Sequence, residues 1–133
     1  MKDIALSQFL STSWWSQVEQ TIADAGSLKI PTAIRAICLN ITVVTPEGQT
    51  LPLAMKNGLF VARHQSDATA HITLPLDVAR SIFIENDTAA GFKAFFKGQL
   101  KASGDLRCLF ALHTAQPTPT QRHLQQTIAA FTD

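Results

Sequence analysis

Four histidines, two cysteines and one close pair of carboxylates are the side chains with reactive chemistry to offer. A zinc site needs several ligands brought to one place, most simply by a His pair one helical turn apart or by cysteines at short spacing. His64, His71, His113 and His123 form no H-x-x-x-H pair, and neither Cys38 nor Cys108 stands near one of them at zinc spacing. His71 falls on the polar side of a predicted strand. His113 falls at the end of a predicted helix, where an imidazolium interacts well with the dipole. A surface or capping role follows for both. Cys38 and Cys108 lie in separate apolar runs without a C-x-x-C, the setting of reduced, buried thiols. Glu85 and Asp87 could act as a general acid and base, or could simply be the solvated end of a helix. No G-x-S-x-G elbow and no glycine-rich phosphate loop is present. The expectation is no catalytic residue, no metal, no cofactor and no enzyme activity.

The constellation above background is aromatic: Phe83, Phe92, Phe95, Phe96 and Phe110. All fall on predicted helices. Two readings stand side by side. The rings are ordinary core, each contributing about 1.5–3 kcal/mol on burial, or some of them line a pocket for an apolar ligand.

The elements that must position these rings can be read from periodicity. Leu6, Phe9, Leu10, Trp14, Val18, Ile22 and Ala25 recur at helical steps, which predicts an amphipathic helix over 4–25 with Gly26 after it. Trp15 lies off that stripe, as a membrane-interface anchor, a partner contact or a half-buried ring. From Ile34 to Thr45 the period becomes two, with Ile37, Leu39, Ile41 and Val43 on one face. Pro46–Gln49 reads as a turn. Leu51, Leu53 and Met55 form the inner face of a second strand, and Pro52 counts against a regular central strand there. Asn57-Gly58 is the pair of a two-residue type I′ hairpin, with a return strand over Leu59–His64. A short strand over Ala70–Leu74 precedes Pro75, which suits the first turn of a helix carrying Leu76, Ala79, Ile82 and Phe83. Thr118 caps a final helix over 119–131, with Pro119 at its first position and Leu124, Ile128 and Phe131 as a narrow stripe.

Between these elements runs Thr88–Thr114, TAAGFKAFFKGQLKASGDLRCLFALHT. Thr88 can cap a helix that ends at Gly98, with Ala89, Phe92, Phe95 and Phe96 on one face. Gln99–Ser103 alternates as a strand with Leu100 and Ala102 on one side. Gly104 breaks it, and Asp105 can cap a helix carrying Leu106, Leu109, Phe110 and His113. Because Phe95 and Phe96 are adjacent, one should face the sheet and the other a neighbouring helix or a cavity.

The order AFFKGQLKASGDLRCLFAL, Ala94 to Leu112, resembles the sterol carrier protein type 2 lipid-binding domain. The resemblance extends more weakly over Ile34–Thr114. It implies a five-stranded sheet whose helices enclose an apolar tunnel, and it implies that helix and sheet side chains contact a lipid. On this sequence those positions are Ile82, Phe83, Phe92, Phe95, Phe96, Leu100, Leu109 and Phe110.

Strands grouped early and helices grouped late predict an α+β fold, a mostly antiparallel sheet of about five strands covered by helices. At 133 residues the chain is expected to be a single lipid-binding domain over 1–133: a helix at 4–25, a family-like core at 34–114, a helix at 119–131. Eleven basic against ten acidic residues argue against a nucleic-acid partner. The N-terminus lacks a signal-peptide pattern and no apolar run reaches membrane-spanning length, so a soluble cytoplasmic protein is expected. The functional expectation is non-enzymatic binding and transfer or presentation of a fatty acyl, isoprenoid or sterol-like lipid. The alternative is an accessory protein of lipid or quinone biosynthesis acting through protein–protein interaction. Transient membrane contact, biosynthetic enzyme partners and a homodimer stay open.

Overall fold

A computed structural model describes residues 6–26, 32–85, 87–107 and 118–133. In chain order its elements are α1 (Thr12–Ala25), α2 (Thr32–Arg35), β1 (Cys38–Val44), β2 (Thr50–Lys56), β3 (Leu59–Val61), β4 (Ala70–Pro75), α3 (Leu76–Phe83), α4 (Thr88–Phe96), β5 (Lys101–Gly104) and α5 (Pro119–Phe131). They divide between two compact units, Pro31–Gln116 and the pair of segments Met1–Ile30 and Pro117–Asp133.

The larger unit is built on one five-stranded sheet in the order β3-β2-β1-β4-β5. Three pairings are antiparallel and β1–β4 is parallel. The fold is therefore the expected α+β class with a mostly antiparallel sheet. The first four strands do not form a plain meander, however, because the chain leaves β3 and returns on the far side of β1.

Asn57 and Gly58 adopt φ of 56° and 81° and join β2 to β3 with Lys56 opposite Leu59, the geometry of a two-residue type I′ turn. The return strand ends at Val61 rather than His64. Pro52 does not interrupt β2. The register with β1 runs unbroken from Cys38–Lys56 to Val44–Thr50, with Pro52 opposite Thr42. On the other side β3 pairs only with Ala54–Lys56, so no strand asks Pro52 for the N–H it lacks.

The connection from β3 to β4 crosses the polar face of the sheet. Asn40, on that face of β1, donates to Gln65 O (3.0 Å) and accepts from Gln65 N (2.7 Å), pairing its side-chain amide with a backbone as a strand would. Thr69 N donates to Cys38 O (3.0 Å), and Asp67 reaches Lys56 Nζ at 3.1 Å. Ala54 points to this face and is fully buried.

Two capping features flank the aromatic helix. Its N-cap is Asp87, whose carboxylate accepts from Ala89 N, not Thr88 one residue on. Its end is a Schellman turn: Gly98 at φ 75° donates to Phe95 O, and Gln99 donates to Ala94 O. Gly104 closes β5 at φ 85° against β4. A Cβ on it would lie 2.4 Å from Thr69 O and 2.9 Å from Ala70 Cα.

In the smaller unit α1 packs on α5. The predicted helix from residue 4 begins instead at Thr12. Leu10 takes a left-handed φ of 68°, which no helix interior admits, and Ser11 then caps Trp14 N. Ser7 forms an isolated parallel bridge with Thr132: Ser7 N donates to Phe131 O and Asp133 N to Ser7 O, both 2.8 Å. The buried Trp14 donates its indole N–H to Thr132 Oγ1 at 2.8 Å, and Phe9 meets Trp14 edge to face. Trp15 is half-buried beside Trp14. α5 starts as the sequence predicts, with Thr118 as cap and Pro119 in the first turn, and Gln121 completes a reciprocal capping box with Thr118.

Candidate functional site

Strand alternation sorts the sheet into two faces, and α3 lies against the apolar one over β1 and β4. Beneath it the face is sealed: Leu39, Ile41, Val43, Leu53, Ile72 and Leu74 are all buried. Towards the β2–β3 side the same face changes character. Leu51, Met55 and Phe60 belong to it by register yet are only half-buried. Phe83, near the end of α3, overhangs this side and meets Phe60 edge to face with ring centroids 5.0 Å apart.

Of the positions that the sequence marks for lipid contact, Ile82, Phe83 and Phe92 are half-buried. Ile82 seats against Gly91 of α4, whose absent side chain leaves room for it; a Cβ there would stand 3.4 Å from Ile82 Cδ1. Leu100 is buried just past the Schellman turn. Phe95 and Phe96 correct the sequence reading. Both are exposed, at 43% and 82%, and Ala94 is the buried residue of α4 among those described. The apolar stripe of α4 runs along its outer side because the close approach to α3 uses its small residues. Leu109 and Phe110 lie outside the described residues, as do His113, Cys108 and the helix predicted after Asp105 beyond Arg107.

Met55 and Phe60 carry no site motif in the sequence. Their signal was available in the alternation of β2 and in the Asn57-Gly58 turn, which together place both on the apolar face.

The reactive groups sit elsewhere. His64 and His71 meet on the polar face, ring centroids 5.0 Å apart. His64 Nε2 donates to Ile41 O (3.0 Å), and the Thr42 hydroxyl lies 2.9 Å from His71 Nε2 and 3.3 Å from His64 Nε2. Burial, and then the neighbouring His64, hold His71 below the usual imidazole pKa. Cys38 is a free, buried thiol whose Sγ donates to Asp67 Oδ1 at 3.6 Å. Burial first, and the Asp67 charge second, push its pKa up, so it stays protonated at neutral pH. Asp87 of the carboxylate pair serves as the cap of α4. Among the described residues no group of three or more His, Cys, Asp and Glu could hold a metal ion. Nor is any described helix long and apolar enough to cross a membrane.

No family model matches the chain, and no curated protein sequence does. Solved structures do match in fold. Sterol Carrier Protein 2 Like 2 from Aedes aegypti is 16% identical with a TM-score of 0.53, over 78% of this chain and 97% of its own. The solution structure of palmitated SCP2L2 from Aedes aegypti is 15% identical with a TM-score of 0.51, over 81% and 98%. The UbiJ-SCP2 ubiquinone synthesis protein is 14% identical with a TM-score of 0.49, over 87% and 92%. The chain thus has the sterol carrier protein type 2-like fold, at low sequence identity to each of these proteins.

Proposed function

We propose that this protein is a non-enzymatic carrier or presenter of an apolar lipid chain, held between α3 and the β2–β3 side of the apolar sheet face. The observation that carries the reading is the unequal covering of that face. Its centre is sealed, while Leu51, Met55, Phe60, Ile82 and Phe83 are all half-buried around one side. Apolar groups left partly wet in this way gain from an apolar guest. The fold match to a protein solved with palmitate supports a fatty acyl chain as the guest class. A tunnel around that chain, as the family resemblance implies, is part of the proposal. So is contact with Phe92 and Leu100 at its far end.

The energetics require no special group. Each methylene moved from water contributes about 0.8 kcal/mol, so a chain burying about ten gains roughly 8 kcal/mol before association costs. Selectivity by chain length would be shallow. Titration of delipidated protein with a fluorescent fatty acid tests the reading. Saturable binding that palmitate competes away supports it, and signal that is neither saturable nor competed contradicts it.

A further inference from the structure

The outer side of α4 is unlike the rest of the sheet unit. Phe96 stands 82% exposed and Phe95 43% exposed at the helix end, their rings in edge contact at 5.8 Å. Lys93 and Lys97 flank Phe96. Lys93, Phe96 and Lys97 are spaced i, i+3 and i+4, so they share one helix face. Both lysines are exposed, and among the described residues neither forms an ion pair. No acidic residue occurs between Asp87 and Asp105. The Schellman turn at Gly98 ends the helix directly behind the rings, leaving them at a terminus rather than along a buried flank.

We propose that this end of α4 docks the protein on an anionic lipid bilayer. Two protruding rings enter the boundary between headgroups and acyl chains, and the two ammonium groups stay at the phosphate level, their stems lying along the apolar layer. Charge decides the occupant. A second copy meeting this face through a two-fold axis would bring Lys93 and Lys97 against their own equivalents, a like-charge contact that opposes pairing. An anionic surface complements both features at once. The inference gives the proposed carrier a place to collect and release its ligand, but it stands on the surface chemistry alone and is tested without ligand.

The experiment is co-sedimentation of delipidated protein with vesicles of phosphatidylcholine alone and of phosphatidylcholine mixed with phosphatidylglycerol. The parent should bind the mixed vesicles and hardly the neutral ones. Lys93→Gln/Lys97→Gln should weaken that binding about twenty-five-fold at low salt, given about fivefold for each lysine at such a surface. Phe95→Ser/Phe96→Ser should reduce it at least as much, with only a small drop in urea midpoint because Phe96 is 82% and Phe95 43% exposed. Fatty-acid titration of the same variants, expected to match the parent, separates this docking from the proposed lipid site. A parent that ignores both vesicles overturns the proposal. So do variants that bind as the parent does, and so does self-association in sedimentation equilibrium that the phenylalanine variant abolishes.

Discussion

Phe60 and Phe83 meet edge to face across the gap between sheet and helix, 5.0 Å between ring centroids, and neither ring is fully buried. Phe60 comes from the strand after the Asn57-Gly58 turn and Phe83 from the last turn of α3, so the contact fastens the β2–β3 side of the sheet to its covering helix. Were both rings ordinary core, truncating either would cost about 3–5 kcal/mol.

Phe83→Ala is instead expected to cost less than about 2 kcal/mol in a urea melt, since only part of its surface is removed from water. The same variant should weaken fluorescent fatty-acid binding about fivefold or more, the loss of roughly 1 kcal/mol of apolar contact. Leu53→Ala, at a position only 1% exposed, is the contrasting case and should cost about 2–5 kcal/mol. Equal losses of stability at the two positions would show Phe83 to be core.

Gly104 is confined by its neighbours as well as by its φ of 85°. Gly104→Ala should destabilise by more than about 2 kcal/mol, because the backbone clash with Thr69 and Ala70 adds to the roughly 1–2 kcal/mol of a left-handed alanine. Gly48→Ala, at φ 83° with open space around it, should show the left-handed term alone. Paired urea midpoints check this; equal effects would remove the close approach from the account.

His71 gives the stability of the sheet unit a pH dependence. Its folded pKa lies below the unfolded value, so the unfolded chain takes up the proton first. The contribution is fully present above the unfolded imidazole pKa of about 6.5 and is lost as pH falls from there through the depressed folded value. The urea midpoint should drop across this range, and the drop should shrink in His71→Gln, whose side chain does not titrate. An identical pH profile in the variant would assign the effect to another group.

In the smaller unit the Thr132 hydroxyl accepts from the Trp14 indole and donates to Ile128 O at 2.6 Å. Thr132→Val keeps the shape and strands the buried indole N–H, which should cost about 1–3 kcal/mol. Tryptophan fluorescence during unfolding reads this directly. An unchanged midpoint would show that water replaces the hydroxyl there.

Local chemistry was legible wherever a few adjacent residues decide the outcome. Asn57-Gly58 specifies its turn, Thr118-Pro119 specifies the start of α5, and the alternation Leu39, Ile41, Val43 specifies the buried face of β1. Pairings between distant residues were not legible. The parallel pairing of β1 with β4, and the Asn40–Gln65 contact in the connection that leads to it, have no local pattern. The α4 stripe misled for a related reason. Periodicity shows that Phe92, Phe95 and Phe96 cluster on one side of the helix, but small residues at Gly91 and Ala94 decide which side approaches the rest of the unit. The proposed site was legible as a set of apolar positions on α3 and the sheet, while the exposure of Phe95 and Phe96 at the end of α4 was not.

The central claim is that an apolar lipid chain occupies the space between α3 and the sheet. Native mass spectrometry of protein purified without detergent tests it most directly. The account predicts a population heavier than the chain by the mass of one lipid, lost on delipidation and restored at one equivalent by palmitate. A chain that carries no lipid when purified, and takes up none when palmitate is added, would contradict it.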